Sequence, residues 1–418
     1  MGVRSGLKAV IGQERLSDMK GVVCHYVCDL NFMVHKQKKL QFDSEELRFK
    51  CELTDANYHI FRGYYDIDYL NSNKKDFLCH RLPINAKDNK TTVCEVGFYD
   101  LSTGKYRQIA DTHAWCWQQG SRLRWLNHEK VIFNDITEDR YCARVYNVAT
   151  GKQVDCIDWP IYDLTSDFKY GLTLNFSRLQ RLRPGYGYNY FEDESVGANA
   201  PKDDGVTLID FTERKSRLLY SLRQLLDKVE NGEEYVHYVN HICISPDGMR
   251  FIFFHIYMKP RVKGWQTILY VSDMQGHELK ALEKADRVSH YCWIDNENLM
   301  VTCHKTNGEE YYCTYDVNTG EKRLLQVAEL CVDGHPGRIG KTEFFLTDTY
   351  PQKNSVQLLR MYHVTDSHAK TIASIYHDYR LRGEKRCDLH PSIAKDCKMV
   401  SVDTTYHGKR RSVTIFEL

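Results

Sequence analysis

Tyr315-Asp316-Val317-Asn318-Thr319-Gly320 decides how this chain is read, because its pattern recurs along the sequence. The pattern is an aromatic or aliphatic residue, an acidic or polar residue, an apolar residue, and then a turn rich in Thr and Gly. The other copies are Tyr99-Asp100-Leu101-Ser102-Thr103-Gly104, Tyr146-Asn147-Val148-Ala149-Thr150-Gly151, Ile209-Asp210-Phe211-Thr212, Ser272-Asp273-Met274-Gln275-Gly276, Tyr362-His363-Val364-Thr365 and Phe416-Glu417-Leu418. Successive second positions lie 47, 63, 63, 43, 47 and 54 residues apart. Periods of this size belong to propeller blades built from short strands, not to helical solenoids.

A second turn precedes an apolar strand: Ser245-Pro246-Asp247-Gly248 before Phe251-Ile252-Phe253-Phe254, Asp295-Asn296-Glu297-Asn298 before Leu299-Met300-Val301, and Asp396-Cys397-Lys398 before Met399-Val400. Strands joined by such turns make hairpins. The seventh copy has no strand after it, so the last blade needs an outer strand from the N-terminal region. Residues 39–42 or 21–34 are the expected donors, and an open sheet edge gives closure its physical reason. The sequence thus predicts an all-β, seven-bladed β-propeller over residues 45–418, closed by a strand in an N-terminal segment, residues 1–44.

Composition agrees. Among 418 residues there are 28 Tyr and 17 Phe against 9 Pro, which favours strands. Lys+Arg 57 against Asp+Glu 56 leaves a net charge of +1, without the basic footprint of a nucleic-acid binder. No apolar run is long enough for a membrane span. Residues 21–34 read as a buried strand, not a signal anchor, since they include His25, Asp29 and Asn31. Fifteen cysteines without paired metal spacing read as free thiols, which places the protein in the cytoplasm. The segment from Arg183 to Asp204 reads as an exposed loop, and Leu222, Leu225, Leu226 and Val229 as a short amphipathic helix.

Just before the first strand of four successive blades stands a histidine: His241, His290, His335 and His390, spaced 49, 45 and 55 residues apart. Innermost strands surround one channel, so equivalent positions converge at its mouth. Asp388 lies on the same side of an extended strand as His390. Imidazole and carboxylate together suit a divalent transition metal such as manganese or zinc. The same face of the other blades supplies Tyr65, Asp66, Gln119 and Tyr162. Arg178, Arg181 and Arg183, then Arg380, Arg382 and Arg386, offer guanidinium forks for carboxylates. A polar, aromatic funnel with these groups predicts an acidic saccharide as partner.

Several segments resemble the oligogalacturonate lyase family: Asn240-His241 before the Ser-Pro-Asp-Gly turn, Ser289-His290-Tyr291-Cys292-Trp293, Thr347-Asp348-Thr349-Tyr350 and Asp388-Leu389-His390-Pro391-Ser392. Over nearly its whole length the chain is also similar to propeller proteins associated with bacterial surface-polysaccharide gene clusters. That likeness rests on Arg62-Gly63-Tyr64-Tyr65-Asp66, Gln119-Gly120-Ser121-Arg122-Leu123-Arg124-Trp125-Leu126, Arg181-Leu182-Arg183-Pro184-Gly185-Tyr186-Gly187-Tyr188 and Arg386-Cys387-Asp388-Leu389-His390-Pro391. The lyase resemblance implies a seven-bladed propeller that cleaves uronic-acid oligosaccharides by β-elimination with manganese. It implies His241 as the catalytic histidine and His290 and His390 as metal ligands, with Arg178 or Arg217 as candidates for an arginine base. The family's third metal histidine becomes Asp388, and its glutamine ligand falls at Lys385. The resulting expectation is a cation on His290, Asp388 and His390, assisted by His335. His241 is expected to act as base or proton shuttle, and Tyr65, Asp66, Gln119, Arg181, Arg183, Arg380, Arg382 and Arg386 to hold substrate. The alternative is a non-catalytic propeller that binds a surface-polysaccharide precursor or scaffolds its biosynthetic complex.

Overall fold

Each interior copy of the repeated motif turns the chain between the third and fourth strands of an antiparallel sheet, and the side chain at its second position shapes the turn. Asp100 Oδ1 accepts the N–H of Ser102 at 2.8 Å, Asn147 Oδ1 that of Thr150 at 3.0 Å, and Asp316 Oδ1 those of Asn318 and Thr319 at 2.8 Å each. These Asx turns substitute a side-chain acceptor for a backbone one. Gly104 and Gly320 complete them at φ 68° and 81°, where a Cβ would be strained.

The computed structural model describes residues 23, 26–27, 29–30, 32–34 and 38–418, apart from 88–89, 261, 263, 353, 379 and 396–397. Seven sheets form a ring of blades in chain order. Their first and last strands are Tyr58–Phe61 and Lys105–Thr112, Arg124–Trp125 and Lys152–Ile157, Asp163–Leu164 and Lys215–Ser221, Val236–Ile244 and Leu279–Glu283, Arg287–Trp293 and Lys322–Leu324, and Gly337–Arg338 and Lys370–Tyr376. Blade seven takes Ser392–Ile393, Met399–Thr404 and Ser412–Glu417 from the end of the chain and its outer strand, Arg48–Leu53, from the beginning. The chain is therefore a seven-bladed β-propeller closed by an N-terminal strand.

The closing strand differs from both expected donors. Arg48–Leu53 pairs antiparallel with Ser412–Glu417, with Arg48 opposite Glu417 and Leu53 opposite Val413. Leu40–Phe42 instead adds a fifth strand to blade six, where Phe42 meets Phe416 of blade seven edge-on at 5.7 Å. The described residues of 21–34 are helical, not a buried strand. Val23, Tyr26, Val27, Leu30, Met33 and Val34 are exposed, and Phe32 alone of these apolar residues packs inward, 4.7 Å from Tyr376. Of the expected Asp396-Cys397-Lys398 turn, Asp396 and Cys397 lie outside the described residues.

Blades pack face to face through inward-alternating side chains. In blade four, Phe251, Ile252, Phe253 and Phe254 are all buried. Each such side chain contributes roughly 1.5–3 kcal/mol relative to exposure. The insertion expected as an exposed loop is half core: Tyr188 is buried and stacks on Phe176 at 4.3 Å, and Tyr186 is also buried. The residues before it form the helix Phe176–Leu182, capped by Asn175, whose side chain accepts from the N–H of Arg178. The amphipathic helix is the five-residue Leu222–Leu226, closed by a Ser221/Gln224 capping box. Among the described residues, no helix is long and apolar enough to cross a membrane.

Candidate functional site

The four in-phase histidines meet at one end of the channel. Ring centroids are 4.0 Å apart for His290 and His335, 4.3 Å for His335 and His390, and 6.4 Å for His241 and His290. All four are buried. Local backbone irregularity turns them toward the axis: a register shift lies between Asn240 and Cys243 in blade four and between Val288 and Tyr291 in blade five. His241 and His390 have φ of 52° and 47°, a conformation that non-glycine residues hold only under external constraint and that clusters at functional sites. Before His335, Gly334 lets the chain pass against blade six, since a Cβ there would sit 2.0 Å from the carbonyl oxygen of Asp348.

Three of the imidazoles have their Nδ1 fixed by an acceptor. His335 donates to Asp348 Oδ1 at 2.8 Å, His290 to Asp333 Oδ1 at 2.9 Å, and His390 to the carbonyl of Gly63 at 3.1 Å. Asp348 also receives the N–H groups of His335 and His390, so one carboxylate orients both residues. A proton on Nδ1 leaves Nε2 as the lone-pair nitrogen, the arrangement of a metal-ligating histidine. The Nε2 atoms of His335 and His390 are buried and make no hydrogen bond. Ligand atoms of His335, Asp388 and His390 all lie within 4.8 Å of one another, so these three could hold a metal ion. His290 adjoins this trio but is not part of it.

Electrostatics divide the cluster. Burial pushes the Asp388 carboxyl up, but Arg386 outweighs it and holds the group well below the usual carboxylate range. Arg386 Nε lies 2.7 Å from Oδ1, and its Nη2 2.6 Å from Oδ2. Burial would lower His335, yet Asp348, with Asp388 and Asp333 behind it, raises it. Burial, then His290 and Arg183, push His241 well below the ordinary imidazole range. It is neutral at pH 7, and its Nδ1 is buried without a partner. Tyr64 lies between the groups, 5.4 Å from His241 and 4.9 Å from His390, with an unpartnered hydroxyl.

The structure commits many of the expected substrate-binding residues elsewhere. Tyr65 reaches from blade one across the axis to blade five, donating to the carbonyl of Tyr291 at 2.9 Å and accepting its N–H at 3.1 Å. Asp66 is held by both terminal nitrogens of Arg122, and Gln119 donates to the hydroxyl of Tyr162, whose oxygen accepts the N–H of His241. Arg178, the candidate base, is fully buried and spends its donors on Ser195 and the carbonyls of His237, Ala198 and Asn199. Arg217 bonds Gln275 on an outer strand. Arg181 is paired with Asp193 and Arg380 with Asp378, Arg382 is exposed, and Lys385 donates to the carbonyl of Ala86. Near the histidines remain Arg386, which stacks on Tyr350 at 5.0 Å, and Arg183, which stacks on Tyr186 at 5.1 Å. Sequence reasoning missed Asp333 and Asp348. Asp333 precedes His335 by two residues, as Asp388 precedes His390, so a repeated Asp-x-His spacing was present to be read.

No protein-family model and no curated protein sequence matches the chain. Among solved structures it is similar to an oligogalacturonate lyase in complex with manganese, with a TM-score of 0.62 at 13% identity over 91% of this chain and 97% of that one. It is similar to an oligogalacturonate lyase from Vibrio parahaemolyticus, with a TM-score of 0.61 at 11% identity over 91% and 96%. The tricorn protease follows at 0.51 and 10% identity, where the match spans 87% of this chain but 34% of the protease. At these identities the likeness is one of fold, and in fold the chain is an oligogalacturonate lyase-like propeller.

Proposed function

We propose that the chain is a carbohydrate-active propeller that cleaves a uronic-acid-containing saccharide by β-elimination, with a divalent cation, manganese, held by His335, Asp388 and His390. The observation that carries this reading is the pair of buried, unpartnered Nε2 atoms beside a carboxylate, within 4.8 Å. When bound, the cation neutralises the uronate carboxylate, which makes the C5 proton acidic enough to remove. His241, neutral and with Nδ1 free, accepts that proton, and the Tyr64 hydroxyl, buried without a partner beside it, is the donor toward the leaving oxygen in this reading. Arg183 and Arg386, braced on tyrosine rings, orient carboxylates at the mouth. With free cysteines among its described residues, we place the protein in the cytoplasm.

The clamp of Arg386 on Asp388 favours the second reading, a propeller that binds a surface-polysaccharide precursor without cleaving it. Metal analysis of the purified protein and ultraviolet absorbance of a 4,5-unsaturated product separate the two. The lyase reading expects bound manganese and product from oligogalacturonates. His241→Ala should abolish product and leave the metal bound, and His335→Ala should release the metal. No metal, together with no unsaturated product from a panel of acidic oligosaccharides, overturns it.

A further inference from the structure

On the same face as the histidines, between the hairpin tips of blades four and five, lies a groove of about 530 Å³. That volume is within the range of small-molecule sites. Tyr235, Tyr257 and Trp265 line one side, and Arg287, His304 and Glu310 the other. Arg287 pairs in register with His304 and stands three residues before His290 on the same strand. Groove and channel share a wall: Asp333 accepts from His290 on one side and stands in ion-pair range of His304 Nε2, at 3.1 Å, on the other. A second route runs along the surface. The Arg183 guanidinium lies 4.1 Å from the Trp265 ring and 5.1 Å from Tyr186, and Tyr186 is 5.9 Å from His241.

Two arginines set this groove apart. Arg183 and Arg287 both stack on Trp265, the second at 4.7 Å. Among the described residues neither has a carboxylate partner. Arg62, Arg122, Arg181, Arg380 and Arg386 are all paired with aspartates. Stacking fixes the plane of a guanidinium; Arg287 Nη2 also meets His304 Nδ1 at 3.0 Å, and its remaining N–H groups are left to bind an anion, while the aromatic rings beside it offer the apolar surface that a sugar ring covers.

We propose that this groove is a second subsite, which takes a further carboxylate-bearing sugar unit of the same saccharide, held by Arg183 and Arg287 against Trp265. This rests on the acidic-saccharide reading of the channel mouth. Calorimetric titration with mono-, di- and trigalacturonate tests it on the wild type and on the Trp265→Phe, Trp265→Ala and Arg287→Gln variants, with melting curves to confirm folding. Wild-type affinity should rise with length. Arg287→Gln and Trp265→Ala should lose about tenfold on the trimer and nothing on the monomer, with Trp265→Phe in between. Equal losses at every length, or none, overturn the subsite while wild-type binding leaves the function standing. A wild type that binds none of the three overturns both.

Discussion

Arg386 and a divalent cation would compete for the same carboxylate. Both oxygens of Asp388 already face the guanidinium, whose charge would also repel a metal ion at the neighbouring Nε2 atoms. Arg386→Gln should therefore tighten manganese binding by about tenfold, the size of one pKa unit of electrostatic interaction. Calorimetry on the purified variant checks this, and unchanged or weaker binding would remove Asp388 from the ligand set. The histidines themselves were legible because one register position repeats on four successive innermost strands. The use of the arginines was not. Arg178 was a candidate base only through the family resemblance, yet its partners include loop carbonyls at residues 198 and 199, whose proximity no local pattern announces.

Closure belongs to Arg48–Leu53, so the two N-terminal strands have separable roles. Removing residues 1–44 deletes Leu40–Phe42, an added fifth strand, and exposes part of Phe416. It should cost about 2 kcal/mol and leave a cooperatively melting protein. Removing residues 1–53 opens blade seven along Ser412–Glu417 and should abolish cooperative melting, as followed by circular dichroism. If the shorter truncation also fails to fold, blade six rather than blade seven is the weak point of the ring. The blades could be read from sequence because their Asx turns are local. The closing strand could not, since Arg48–Leu53 is half polar and its partner lies at the far end of the chain. Residues 21–34 misled for a different reason: Val23, Val27, Leu30 and Val34 are spaced for a helix face, but the run is apolar enough to pass for a strand.

The ring draws its candidate ligands from two blades, His335 from six and Asp388 and His390 from seven, so a bound cation would tie neighbouring blades beside the closure. A ligand that binds only the folded state adds about 2.7 kcal/mol at a hundredfold excess over Kd. Manganese should therefore raise the melting temperature of the wild type, and chelator should reverse it. His390→Ala should melt at the same temperature with and without the ion, and a shift that persists in this variant would place the cation elsewhere. Tyr65 carries a different implication. Its side chain links blade one to blade five beside the histidines, a crossbar between blades that are not neighbours in the ring, so loosening it would be felt in the spacing of the imidazoles on either side.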